Sequence, residues 1–236
     1  MAVFEVLNPS RPLAAVIFDM DGLMFDTERL GWRLLNQAGA EFGYGPLSME
    51  QYTHAVGKTV EGTRKILSAI CEGDAATYSA IEARFWELDR DYVKRMGPPK
   101  KSGLVDLLKL LQEREIPCAL ASSTRTDRVD EHLEAAGVRD YFREIVGGDQ
   151  APASKPAPDI FLLAAERLGQ APQRCLVLED SFAGVQAGRS ADMFVIMVPD
   201  ILQPTPQIRA QANLVVDSLS EVAELIKTAR LSFSPK

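Results

Sequence analysis

Five stretches of this chain are mostly apolar from end to end: 13–19 (LAAVIFD), 117–123 (PCALASS), 142–148 (FREIVGG), 175–180 (CLVLED) and 193–199 (MFVIMVP). A strand with one wet face alternates apolar and polar residues, whereas an unbroken apolar run must be covered on both faces. Such strands run parallel, and parallel neighbours need long crossover connections. The intervening sequence supplies them as helices. GLVDLLKLLQERE (103–115) precedes the second run, and DRVDEHLEAAG (127–137) precedes the third, closing on Gly137 as a C-terminal cap. PDIFLLAAERLG (158–169) enters at Pro158 and stops at Gly169. Ser218 and Glu221 have capping-box spacing ahead of VAELIK. The alternation predicts an α/β fold, an open, doubly wound, Rossmann-like parallel sheet.

One segment breaks the alternation. From Thr27 to about Pro99 no strand pattern is evident, but helical spacing is strong. Tyr78, Ile81, Phe85, Leu88, Tyr92 and Met96 recur at intervals of three and four, and Val60, Thr63, Leu67 and Ile70 do so one segment earlier. Ser48 and Gln51 offer another capping box. The chain thus divides into an α/β core, residues 1–26 and 100–236, and a small inserted helical domain, 27–99. The Pro/Gly-rich MGPPKKSG marks the return to the core.

Net charge is −7 and no dense basic stretch exists, which argues against nucleic-acid binding. No apolar run approaches the ~20 residues of a membrane span. The first residues lack the basic start and apolar stretch of a secretory signal. Cys71, Cys118 and Cys175 are scattered and odd in number, with no CxxC pair, so they read as buried small residues in a reducing cytoplasm. His54 and His132 lie in helical patterns far from other chemistry-bearing residues and read as structural. Residues 1–12 and the tail RLSFSPK are expected to be loosely held ends, and a monomer is the default expectation.

An acidic chain binds an anion only where positive charge is supplied locally. The ends of the predicted strands are where ligands of such sheets bind. The first ends in Asp19-Met20-Asp21-Gly22, continuing Leu23-Met24-Phe25-Asp26-Thr27. Two carboxylates one residue apart repel unless a cation or proton compensates. They are either a solvated acidic turn capping a helix or part of a cation site. Three other strand ends bear on that choice. Ser122 and Ser123 follow CALA, where a hydroxyl and backbone N–H groups ahead of a helix make an anion cradle. Lys155 lies in Ser154-Lys155-Pro156-Ala157-Pro158-Asp159, next to rigid prolines. Glu179-Asp180-Ser181 adds two more carboxylates, and an all-oxygen donor set suits Mg2+. Together these residues can hold a hard cation, balance a phosphate and leave one carboxylate to attack it.

DMDGLMFDT, LASST, SKPAPDIFL and LEDSFAGVQAG resemble, in order, the four motifs of the haloacid dehalogenase-like hydrolase superfamily. The likeness runs from about Leu13 to Val216 and is nearest the β-phosphoglucomutase-like phosphatase branch with a helical cap. The resemblance implies a Mg2+-dependent phosphatase that hydrolyses a small phosphate monoester, a phosphorylated metabolite, through a phosphoaspartyl intermediate. Asp19 would be the nucleophile and a metal ligand. Asp21 would be the general acid/base, its backbone carbonyl touching the metal. Ser122 would bind the phosphoryl group, with Ser123 beside it. Lys155 would neutralise Asp19 and the phosphate. Asp180 would ligate Mg2+, and Glu179 would be a ligand or a partner of one. Asp26, Thr27 and Asp159 would brace loops. Arg125 and Lys58 are candidate contacts to the rest of the substrate, although solvated side chains are the alternative for both. The cap would close over the core to exclude water and select the substrate.

Three alternatives have distinguishing features. A phosphosugar mutase of this branch carries a cap histidine and arginine where this chain has Gly31 and Val60. Gly57-Lys58-Thr59 resembles the end of a P-loop, but Tyr52 stands where that motif needs its first glycine and no strand pattern precedes it. A phosphoryl-receiver domain shares the acids, hydroxyl and lysine, but usually spreads its acids over two strands and lacks a large helical insertion.

Overall fold

The computed structural model describes residues 13–56, 64, 66–71 and 74–228. Lys58, the Gly57–Thr59 motif, Val60, Thr63 and both chain ends lie outside them. The described chain forms two compact units, one holding residues up to 25 and from 100 onward, the other residues 26–99.

The first unit is a six-stranded parallel sheet. The strands are β1 (Ala15–Phe18), β2 (Cys118–Ala121), β3 (Phe142–Val146), β4 (Cys175–Glu179), β5 (Phe194–Met197) and β6 (Leu214–Val215), in the order β3-β2-β1-β4-β5-β6. The helices are α4 (Leu104–Glu113), α5 (Thr126–Ala136), α6 (Asp159–Leu168), α7 (Phe182–Ser190), α8 (Pro206–Gln211) and α9 (Leu219–Thr228). The second unit contributes α1 (Thr27–Glu41), α2 (Met49–Thr53) and α3 (Ala75–Met96). This is the doubly wound α/β fold that the apolar runs predict.

The two-residue period of a strand resolves each apolar run into two buried faces. Val16, Phe18, Leu120, Leu176 and Leu178 face one way, with Leu107, Leu108, Val129, Leu133 and Val222 of α4, α5 and α9. Ala15, Ile17, Ala119, Val177 and Val195 face the other, with Ile160, Phe161, Ala164 and Val185 of α6 and α7. Every residue of β1 is fully buried, as the centre of a three-layer sandwich requires. The cap residues behave as predicted: Gly137 and Gly169 adopt the left-handed conformation after α5 and α6. Ser218 Oγ accepts the Glu221 N–H at 3.3 Å.

Strand register positions the chemistry. Phe18 lies level with Leu120 on one side and Leu178 on the other, so Asp19, Ala121 and Glu179 emerge side by side. The order runs outward from β1 in one direction through β2 and from β4 in the other. The boundary between β1 and β4 is therefore the switch point where such sheets open a crevice.

In the helical unit, α1 and α3 pack around Leu35, Ala38, Tyr78 and Ile81. Trp32 Nε1 and Asn36 Nδ2 both donate to the Leu47 carbonyl, at 2.8 and 3.1 Å, which pins the connection to α2. The Ser48–Gln51 capping box is complete. Along α3 the buried stripe departs from the expected one. Phe85 and Leu88 pack half-buried against the same cluster as Tyr78 and Ile81, but the buried positions beyond them are Asp89 and Val93, and Met96 is 73% exposed. Intervals of three and four in sequence define a face only while neighbours cover it, and the last turn outruns them. Strand β6 was not expected; two half-buried residues are too few to carry a periodic signal.

Leu108 is fully buried on α4 and Leu162 is 39% exposed on α6. Leu108→Ala should cost about 2–5 kcal/mol of unfolding free energy in urea, and Leu162→Ala less than about 1 kcal/mol.

Candidate functional site

Beyond β1 the chain makes one tight turn, with the Gly22 N–H donating to the Phe25 carbonyl at 2.9 Å and the Met24 N–H to the Met20 carbonyl at 2.9 Å. Met20, Leu23, Met24 and Phe25 are fully buried. The turn therefore plugs its apolar residues into the core and leaves Asp19 and Asp21 at the sheet edge. Gly22 has φ +77°, and a Cβ there would sit 2.1 Å from Asp180 Oδ2. Glycine is required twice at this position, for its backbone conformation and for the approach of a carboxylate.

Lys155 reaches this edge from the loop before α6. Its ammonium donates to Asp19 Oδ1 at 2.5 Å, to Glu179 Oε1 at 2.7 Å and to the Ala121 carbonyl at 3.2 Å. All three N–H groups are matched, each to the end of a different adjacent strand. The ring of Phe161 lies 4.8 Å below the nitrogen. Glu179 is fully buried, and its second oxygen accepts the Ser181 N–H at 2.8 Å and the Ser181 hydroxyl at 2.9 Å. Asp19, Glu179 and Asp180 each present an oxygen within 4.8 Å of the others.

One ammonium serves several carboxylates, and the titration follows from that imbalance. Burial, helped by the charges of Glu179 and Asp21, raises the Asp19 carboxyl to about 8 against the opposing pull of Lys155. Burial opposes charge on Lys155, but Asp19 and Glu179 outweigh it and raise the pKa of the amine. The pocket is short of positive charge. A hard divalent cation fits this donor set, because it would supply the missing charge and favour the ionised form of Asp19.

At the end of β2, Ser122 is buried, and its Oγ accepts the Thr124 N–H at 3.1 Å. Asp21 stands apart from the carboxylate trio: its Oδ2 accepts the Thr124 hydroxyl at 2.7 Å. Ser123 is exposed at the loop surface. Arg125 is 70% exposed and pairs with Asp127 at 3.2 Å. Asp26 pairs with Arg29 at 2.9 Å, and Asp159 opens α6. His132 is buried, with Nδ1 2.8 Å from the Arg128 carbonyl, and His54 is exposed in a turn. The three cysteines are buried and free, and burial pushes the Cys118 thiol up to about 12 and Cys175 to about 11, far from thiolate chemistry.

The structure thus brings Asp19, Lys155, Glu179 and Asp180 together, while Thr124 links Ser122 to Asp21. Thr124, Ser181 and Gly22 are partners that sequence reasoning left without a role. The available signal was a third consecutive hydroxyl, two residues past Ser122, and a serine directly after the Glu-Asp pair.

In the helical unit, a cavity of about 300 Å³ is lined by Glu28, Gly31, Tyr52, Tyr78, Glu82 and Trp86, among others. A Cβ on Gly31 would meet the Tyr52 hydroxyl at 2.8 Å, and that hydroxyl donates to Glu28 at 3.2 Å.

Comparison with known proteins places this site in context. The model of the family described as haloacid dehalogenase-like hydrolase matches residues 16–198. A phosphorylated carbohydrates phosphatase of Thermotoga maritima is 32% identical over 76% of this chain and 82% of its own length. The Arabidopsis thaliana chloroplastic protein SUPPRESSOR OF QUENCHING 1 is 31% identical over 89% of this chain, which spans only 20% of that larger protein. The crystal structure of CbbY from Rhodobacter sphaeroides in complex with phosphate superposes with a TM-score of 0.71 at 26% identity, covering 89% of this chain and 96% of that one. With its doubly wound sheet and the acidic cluster at the switch point, the chain belongs to the haloacid dehalogenase-like hydrolase family.

Proposed function

We propose that this protein is a Mg2+-dependent phosphatase that hydrolyses a small phosphate monoester, a sugar phosphate or similar metabolite, through a phosphoaspartyl intermediate at Asp19. The observation that carries the reading is the Lys155 ammonium held between Asp19 and Glu179 at the switch point of the sheet. Buried carboxylates gathered around one amine leave a nucleophile beside a site for charge.

Asp19 and Asp180 would hold the ion, and the Asp21 backbone carbonyl would complete the set. Glu179 already has both oxygens engaged by Lys155 and Ser181, so its role is to orient the lysine. When bound, the ion supplies charge that favours ionised Asp19 and draws density from the phosphoryl oxygens. Asp19 attacks phosphorus as the ester P–O bond breaks, and Asp21 protonates the leaving oxygen. Asp21 then takes a proton from the water that cleaves the P–O bond to Asp19. Ser122 donates its O–H to the phosphoryl group. Lys155 acts through its charge, since its donors are spent on the protein.

The Thermotoga relative acts on phosphorylated carbohydrates by its name, and CbbY holds phosphate, both in keeping with a phosphomonoester substrate. A phosphatase is favoured over the mutase because position 31 is glycine, and a side chain there would meet the Tyr52 hydroxyl, 2.8 Å from its Cβ.

Asp19→Asn should reduce phosphate release from a panel of phosphomonoesters to background. Chelation by EDTA should silence the wild type and Mg2+ restore it; activity surviving either change removes the proposal. Gly22→Ala drives a methyl group into the Asp180 carboxylate, so the Mg2+ concentration for half-maximal activity should rise about 10–100-fold.

The raised pKa of Asp19 has a sign that can be tested. Between the ordinary value of 3.8 and about 8 the folded protein holds a proton that the unfolded chain has lost, so stability falls as pH rises through that window. In EDTA the melting temperature of Asp19→Asn relative to wild type should increase from about pH 5 to about pH 8, and Mg2+ should narrow the gap.

A further inference from the structure

Thr124 touches both halves of the proposed chemistry. Its hydroxyl donates to Asp21 Oδ2 at 2.7 Å, and its N–H donates to Ser122 Oγ at 3.1 Å. Its carbonyl accepts the Gly148 N–H at 2.9 Å. The residue is therefore fixed through its backbone on two sides. Its side chain is branched at Cβ, which restricts the direction of the hydroxyl. Among the described residues, Thr124 is the hydrogen-bond partner of the Asp21 side chain, reached across 103 positions of sequence. The parallel bridge between Asp21 and Phe25 anchors the Asp21 backbone.

We propose that Thr124 is a positioning residue that assigns the two oxygens of Asp21 to different tasks. The inference rests on the phosphatase reading above. With the Thr124 hydroxyl donating to Oδ2, Oδ1 is the oxygen left to exchange a proton with the substrate. The proton is therefore carried on Oδ1. In the first step the bond from phosphorus to the ester oxygen breaks and that from phosphorus to Asp19 forms. The Oδ1 proton passes to the departing oxygen. In the second step water oxygen bonds to phosphorus, the bond to Asp19 breaks, and a water proton returns to Oδ1. The same threonine occupies a lone pair of Ser122 through its N–H, which leaves the Ser122 O–H to donate to the phosphoryl group. One residue thus holds both the proton donor and the phosphate binder.

Leaving groups separate this role from a merely structural one. An alkyl phosphate needs a proton on its departing oxygen, whereas p-nitrophenyl phosphate does not. kcat/KM reports the steps up to phosphorylation of the enzyme. With the full-length protein in Mg2+, Thr124→Val should lower kcat/KM for an alkyl phosphate about 10²-fold, the cost of a misplaced catalytic group. The effect on p-nitrophenyl phosphate should stay within about 3-fold, which also reports that the variant is folded. Thr124→Ser should restore the alkyl reaction to within about 3-fold of wild type. Equal losses on both esters, no loss on either, or no rescue by serine would overturn the assignment. Failure of the phosphatase reading looks different: the wild type would turn over neither ester, or Asp21→Asn would leave the alkyl reaction intact.

Discussion

A single ammonium holds the working end of the sheet together. Lys155 is buried, and its three donors go to Asp19, Glu179 and the Ala121 carbonyl. Those acceptors belong to the ends of β1, β4 and β2, three strands adjacent in the sheet. Burying this charge costs desolvation, and only complete pairing offsets it. Three neighbouring strand ends are a rare place where an amine finds three acceptors in reach, and parallel register supplies them at one level.

The same arrangement leaves the site deliberately short of positive charge. Glu179 is consumed by Lys155 and Ser181, so the lysine is oriented but not free. Asp19 and Asp180 each bring an oxygen within 4.8 Å of the other and of Glu179, and burial disfavours the charge on Asp19. An excess of buried carboxyl groups is a poor way to stabilise a fold and a good way to hold a divalent ion. The stability of the unit comes from elsewhere, from the two apolar faces of the sheet.

Much of this was legible before any coordinates. Asp19, Ser122, Lys155 and the Glu179-Asp180 pair stand immediately after apolar runs or before a helix, and parallel sheets collect such positions on one edge. The roles of Thr124 and Gly22 were not legible. Each depends on a partner far away in sequence, Asp21 for the threonine and Asp180 for the glycine, and no local pattern records a contact of that kind. Gly31 was legible as a departure from the mutase pattern, but only the fold showed that the Tyr52 hydroxyl stands 2.8 Å from where a Cβ would lie.

The sequence by itself determined the alternation of strands and helices, the helical insertion after β1 and the caps at Gly137, Gly169 and Ser48, because apolar periodicity and backbone conformational preference are local properties. Only the tertiary structure decided that β6 pairs at the edge, that Met96 faces water while Asp89 is covered, and which oxygen of Asp21 is held. Those outcomes depend on which elements become neighbours, and burial at a given position follows from the neighbour as much as from the residue.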